Sequence, residues 1–228
     1  MCKKVFLSIV LSIICGTTHA HISKQKADTI TTKVFNILKS GTIKGYIGEP
    51  GITQLEHALQ AAQEMLQKLN ATLDDLDNPK IALSVFGALL HDIGHLSAPK
   101  NAPDMQGYGV VKHETIGADY MLALGAPQEL ADLIASHANA KRYLSTVDHT
   151  YYDNLSNASK CTMEFQGGFM KQEELTEFKK HPLFKQMLLL RLCDDAAKKQ
   201  EYKTFKLEDL KQPFLQFVQS EFKEKKIT

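Results

Sequence analysis

Apolar residues recur at helical spacing in eight segments of this chain, and strand-like alternation is nearly absent. The segments cover residues 30–38, 55–69, 81–91, 115–124, 129–138, 173–178, 183–199 and 207–221. Turn residues fall between them: Asp77-Asn78-Pro79 precedes the third, Gly125-Ala126-Pro127 separates the fourth from the fifth, and His181-Pro182 opens the seventh. The stretch 97–110, with Pro99, Pro103, Gly107 and Gly109, reads as a loop. So does 145–168, which is too long for a mere connection and is therefore a candidate for active-site function. The expected fold class is an all-α bundle. With no repeat or Pro/Gly/Ser linker to divide it, the helical part reads as one domain from about Lys24 to the C-terminus.

The first twenty residues have a different character. Lys3 and Lys4 are followed by an apolar run from Val5 to Cys15 and then by Gly16-Thr17-Thr18-His19-Ala20, the layout of a secretory signal. The run is too short for the roughly 20 residues that a membrane span needs, so a signal cleaved after Ala20 is expected rather than an anchor. This reading divides the chain into a signal at 1–20 and a domain at 21–228, exported to the periplasm or beyond, with a cytoplasmic location as the alternative. Cleavage takes two of the 27 basic residues and none of the 26 acidic ones, for a net charge near −1. No global basic field gathers nucleic acid. Cys161 and Cys193 are too few for a disulfide framework.

The chemistry lies in histidines and aspartates on these apolar helices. An apolar helix over 81–90 runs directly into His91-Asp92, with Gly94 breaking it just beyond and His95 following. A His-Asp pair alone is a weak signal. His57 sits among Leu55, Leu59 and Leu66; His113 and His137 are each expected to begin or end an apolar helix; Asp194 lies beside Leu192 and Cys193. Burying a carboxylate costs several kcal/mol (roughly 3–5) unless it is paired or ligates a metal. The ordered set His57, His91, Asp92, His113, His137 and Asp194 is poorly explained as independent accidents. Imidazole and carboxylate together suit first-row transition metals.

The order His57, His91-Asp92, Asp194 resembles the HD superfamily of helical metal-dependent phosphohydrolases, and the added His113 and His137 look like its two-metal branches. The resemblance implies an HD-domain helical bundle with a di-metal centre. Asp92 would be shared by both ions, His57, His91 and Asp194 would complete one, and His113 and His137 the other.

Several stretches look closely like the phosphonate-degrading HD-domain oxygenases of the PhnZ and TmpB type. They include Tyr46-Ile47-Gly48-Glu49, Gln54 through Gln60, Gly107-Tyr108-Gly109-Val110 with His113-Glu114, His137 through Leu144, Asn154-Leu155-Ser156, Glu164 through Gly168, and Arg191. The likeness runs from about Phe35 to Lys199. It implies two iron ions in a mixed-valent Fe(II)/Fe(III) centre, O2 as co-substrate, and cleavage of the carbon–phosphorus bond of a 1-hydroxyphosphonate with release of phosphate. The partner would be a small organophosphonate resembling 2-amino-1-hydroxyethylphosphonate. Catalytic roles would fall to Asp92 and His95, and substrate contacts to His95, Lys141, Ser159, Thr162 and Arg191, with Tyr46 and Glu49 at the substrate amine. Between Glu49 and Gln54 the chain is one residue longer than the family spacing.

Blander roles fit some of these residues equally well. Arg191 can pair with Asp194 or Asp195, Lys141 can be a solvated charge, Ser159 and Thr162 can serve turns, and His149 and His181 read as surface or structural. The alternative enzyme is a metal-dependent phosphohydrolase acting on a phosphoester or nucleotide. A di-iron inositol-type oxygenase shares the ligand order but lacks the set Ser159, Lys141 and Arg191. A degenerate binding module would have lost a ligand, and none is missing.

Overall fold

A computed structural model describes residues 22–46 and 51–223. Eleven α-helices carry most of them, and the described residues contain no strand, only the isolated bridges Gly45–Thr53 and Asp104–Val110. The signal-like segment 1–20 and Glu49 lie outside the described residues. Among the described residues, no helix is long and apolar enough to cross a membrane.

Local chemistry sets where the helices start. Ser23 caps α1 (Lys24–Ser40) by accepting the Lys26 N–H at 3.3 Å. Thr53 and Glu56 form a reciprocal capping box on α2 (Gln54–Lys68), at 3.1 and 2.7 Å. Asn78 caps α3 (Pro79–Leu90), whose first residue is proline and needs no amide partner. The apolar run of α3 is buried on nearly every side: Val85, Phe86, Ala88, Leu89 and Leu90 are at most 1% exposed. It packs against α2, α6 (Gln128–Val147), α10 (Phe184–Ala196) and α11 (Lys211–Glu221). Phe86 meets Phe214 edge-on at 5.0 Å and Phe217 at 5.2 Å. Burying a side chain of this size contributes about 1.5–3 kcal/mol. The helix that delivers His91 and Asp92 is thus the most firmly held in the bundle.

Three expectations need correction. The helix before the His-Asp pair ends at Leu90 as expected, but Gly94 is not what breaks it: His91 to Ile93 form a turn, and Gly94 begins the short α4 (Gly94–Ser97). His113 does begin α5 (His113–Ala123), but His137 lies in the middle of α6, which continues to Val147. The supposed loop at 145–168 holds the end of α6 together with α7 (His149–Asp153) and α8 (Asn157–Phe165). Asp148 caps α7 and Ser156 caps α8 through their side chains. Apolar periodicity missed α8 because the face it turns inward is polar. The remaining helix, α9 (Gln172–Lys179), falls where expected. Cys161 and Cys193 are both free; burial pushes the Cys193 thiol up to about 12, which leaves it an inert core residue.

Candidate metal centre and pocket

Five helix-borne segments converge on the turn after α3. His57 comes from the first turn of α2, His91 and Asp92 from the turn itself, His113 from the start of α5, His137 from α6 and Asp194 from α10. All six are buried, none more than 9% exposed. On one side of Asp92, the Nε2 atoms of His57 and His91 lie 3.0 Å apart. Asp92 Oδ2 is 3.6 and 3.5 Å from them, and Asp194 Oδ1 is 3.4 and 3.8 Å from them. On the other side, His113 Nε2 and His137 Nε2 are 2.9 Å apart, each 3.4 Å from Asp92 Oδ1. The two carboxylate oxygens of Asp92 therefore face two separate imidazole pairs.

Hydrogen bonding fixes what those imidazoles present. Nδ1 of His57, His91, His113 and His137 lies against the carbonyl of Ala197, Ala88, Val110 and Ile134, at 2.8, 2.7, 3.0 and 2.9 Å. A carbonyl only accepts, so each Nδ1 carries a proton and Nε2 is the atom turned to the cluster, where the neutral form of the ring offers a lone pair to a metal. Two such lone pairs face each other on each side of Asp92, with carboxylate oxygens around them. A cation resolves that repulsion. Asp194 Oδ1, moreover, is buried without a hydrogen-bond donor. Donors bound about 2.0–2.2 Å from a transition metal lie about 3 Å or slightly more apart, as here. The residues fit two metal ions.

Electrostatics favour ionised carboxylates at the centre. Burial acts to raise the Asp92 carboxyl, but His91, His95, His113 and His137 hold it well below the usual range. Burial opposes Asp194 in the same way, and Arg191 and His91 hold it low. Arg191 donates from Nη1 to Asp194 Oδ2 at 2.7 Å, from Nη2 to Asp195 Oδ1, and from Nε to Asp195 Oδ2 at 3.1 Å and to Tyr151 Oη at 3.0 Å. Pairing with Asp194 and Asp195 is therefore present, and Arg191 also lines the pocket above the metal cluster.

The facing wall of that pocket is cationic and hydroxylic. Ser159 and Thr162, spaced for one face of α8, line it with Lys141 from α6. Lys141 is 3% exposed, and its Nζ donates to Ser159 O at 3.1 Å and Thr162 Oγ1 at 2.8 Å. Burial and the nearby Arg191 push its amine down to about 7, so the solvated-charge reading is excluded. His95 also lines the pocket, carried there by α4 rather than by a continued α3. Its ring stacks on His113 at 3.8 Å and its Nδ1 accepts the Val110 N–H at 3.1 Å, which puts its proton on Nε2. Burial and His113 lower its pKa to about 3, so the ring is neutral. Tyr46 stacks on His57 at 3.9 Å and closes the remaining side.

Every proposed substrate residue among the described ones reaches this pocket, while His149 is exposed and His181 pairs with Asp132 at 3.3 Å, away from it. Lys198, Gln54, Tyr108, Ser156 and Gln166 also line it and were given no site role from the sequence, although all but Lys198 lie in stretches that carry the resemblance. Lys198 Nζ donates to Ser159 Oγ at 3.4 Å. Gln166 lies four residues after Thr162 at the end of α8, a helical spacing that finds it from a chosen residue, whereas Lys198 lies beyond the end of α10 and has no such signal.

A helical scaffold presenting a consecutive His-Asp pair with flanking His and Asp ligands defines the HD-domain class, and the sequence pattern of the HD domain matches residues 55–165. The chain is 33% identical over 183 residues to the 1-hydroxy-2-(trimethylamino)ethylphosphonate dioxygenase (glycine-betaine-forming) of Leisingera caerulea, covering 80% of this chain and 87% of that one. It is 34% identical over 194 residues to the hydroxymethylphosphonate dioxygenase of Gimesia maris, covering 84% and 87%. An uncharacterized protein of Acanthamoeba polyphaga mimivirus is 39% identical over 166 residues, covering 72% and 71%. The protein therefore belongs to the HD-domain oxygenase family.

Proposed function

We propose that the protein uses O2 to cleave the carbon–phosphorus bond of a 1-hydroxyphosphonate, giving a carboxylate and inorganic phosphate. The observation that carries this reading is one pocket with the His/Asp cluster on one side and Lys141, Lys198, Ser159 and Thr162 on the other. A dianion with a neighbouring hydroxyl complements both sides, since charge-assisted hydrogen bonds are the strong ones. The named substrates of the Leisingera and Gimesia relatives are phosphonates, which supports the same class.

Two iron ions, held by His57, His91 and Asp194 on one side of Asp92 and by His113 and His137 on the other, would supply O2 activation and the electron transfer. The chain's own groups do the rest. Lys141 and Lys198 neutralise the phosphonate, and Ser159 Oγ and Thr162 Oγ1 orient it. His95, neutral with its proton on Nε2, donates a hydrogen bond without adding charge beside the metals. Asp92, with one oxygen toward each imidazole pair, would be the ligand common to both ions. Tyr46 covers His57 and lines the end of the pocket that would receive the substituent on the carbinol carbon, and the family resemblance gives Glu49 a role at the amine of that substituent. We also propose that residues 1–20 export the chain.

The test is a panel of hydroxymethylphosphonate, 2-amino-1-hydroxyethylphosphonate and a phosphate monoester, assayed for phosphate with and without O2. Phosphate from the hydroxyphosphonates only in the presence of O2 is expected. Oxygen-independent release from the ester would instead establish the phosphohydrolase reading.

A further inference from the structure

The second imidazole pair depends on a close crossing of α4 and α5. A Cβ built on Gly94 would lie 1.8 Å from the His113 carbonyl oxygen, 2.7 Å from its carbon and 2.9 Å from the Gly117 nitrogen. All three are backbone atoms, so no rotamer change relieves the overlap. Gly94 has no left-handed backbone that would itself require glycine; space alone requires it. On the other helix, a Cβ on Gly117 would meet the Gly94 nitrogen at 3.0 Å, with Ile93 and Ile134 methyls at 3.1 and 3.2 Å. The tight atom on the α5 side belongs to His113, a proposed ligand. On the α4 side, Gly94 follows two residues after Asp92, whose carbonyl accepts the His95 N–H at 3.0 Å.

We propose that Gly94 is a positioning residue for the second metal: its missing side chain lets α5 approach until His113 reaches the Asp92 oxygen it shares with His137. The inference rests on the two-metal reading above. Any side chain at 94 forces α4 and α5 apart by at least about an ångström, whereas coordination tolerates about 0.2 Å. His57, His91 and Asp194 come from α2, the end of α3 and α10, none of which crosses at this glycine, so the first metal keeps the three ligands it does not share. His95, carried on α4 and stacked on His113, moves with the same separation.

The experiment compares Gly94→Ala, Gly117→Ala and Gly125→Ala with wild type, by metal content per folded chain and by the Mössbauer spectrum of iron-loaded protein. Gly125 is an equally severe steric test elsewhere, since its Cβ would lie 2.4 Å from Lys223 O at a φ of +94°. Gly94→Ala is expected to keep one iron and to weaken the second about tenfold to a hundredfold, the range seen when groups that orient ligands are lost. Gly117→Ala should weaken it less, and Gly125→Ala should lower the melting temperature with both irons retained. Should Gly94→Ala not fold, Gly117→Ala decides: loss of the second iron alone supports the proposal, and full occupancy overturns it. Two tightly bound irons in folded Gly94→Ala overturn it as well. A wild-type protein binding a single metal would overturn the two-metal reading itself, which the variants then distinguish from failure of the glycine's role.

Discussion

The two halves of the metal centre are built differently although they share Asp92. The half formed by His57, His91 and Asp194 has a carboxylate of its own, and that carboxylate is fixed by Arg191, which is in turn held by Asp195 and Tyr151. Among the described residues, the half formed by His113 and His137 has no second carboxylate grouped with its Nε2 atoms; Glu114 lies on the other side of the His113 ring, 3.7 Å from Nδ1. Its geometry comes from backbone: two Nδ1–carbonyl bonds and the glycine crossing of α4 on α5. One half is held by charge and the other by close packing, so the first should stand without the second but not the reverse. Such an order suits a centre in which one ion is structural and permanent and the other more exchangeable.

The sharpest way to break this asymmetry is Asp92→Ala. It removes the shared carboxylate and leaves four lone-pair imidazoles facing one another; both irons and all measurable turnover should be lost by metal analysis and phosphate assay. Retention of one iron would show that His57, His91 and Asp194 suffice alone. Next in size, His113→Ala should lose one iron and the oxygenase activity while its circular dichroism stays that of wild type, because the His113 side chain at the start of α5 lines the pocket rather than filling the apolar core. Wild-type turnover by that one-metal variant would favour the hydrolase reading.

Lys141 extends the comparison to the opposite wall. Its amine is pushed down from an ordinary 10.5 to about 7, so the folded protein bears the cost of the buried charge fully below pH 7. Between about 7 and 10.5 the unfolded chain binds the extra proton, and stability rises with pH until the cost is gone. Lys141→Met should therefore stabilise the metal-free protein below pH 7, on the order of 5 kcal/mol, with the advantage fading toward pH 10.5. Chemical denaturation across that range checks the sign, while KM for a phosphonate should rise in the same variant. A variant less stable than wild type at pH 6 would mean that the bonds to Ser159 and Thr162 outweigh the buried charge.

The smallest expected effect lies at the amine end. Glu49→Ala should raise KM for 2-amino-1-hydroxyethylphosphonate about tenfold to a hundredfold, the strength of one charge-assisted bond, and leave hydroxymethylphosphonate unchanged. Equal losses on both would make Glu49 a support for the entrance. On either side of its segment the main chain is paired, Tyr46 N–H to Ile52 O at 2.7 Å and Gln54 N–H to Lys44 O at 2.9 Å.

The contrast between the halves also explains what could be read from the sequence. Helices with an apolar stripe and a capping residue, such as α2 and α3, were legible because core burial imposes a 3.6-residue period. The ligands stood out as polar residues on those apolar stripes. The α8 wall did not, because Ser156, Ser159, Thr162 and Gln166 face a polar pocket and leave no apolar period, so the segment read as loop. Nor did the role of Gly94: a glycine after a helix suggests a stop, and only the position of the His113 carbonyl shows that it is a contact. His95 reached the pocket by a route the sequence did not indicate, a new helix starting after the His-Asp turn.

The most direct test of the account is iron content and O2 consumption measured on the same sample, purified without added metal and given hydroxymethylphosphonate. Oxidising the carbinol carbon to formate with release of phosphate balances with one O2 reduced per phosphate, so the account predicts about two irons per chain, as in other two-metal sites, and O2 uptake equal to phosphate release. One zinc per chain with full activity, or phosphate released without O2 uptake, would contradict it.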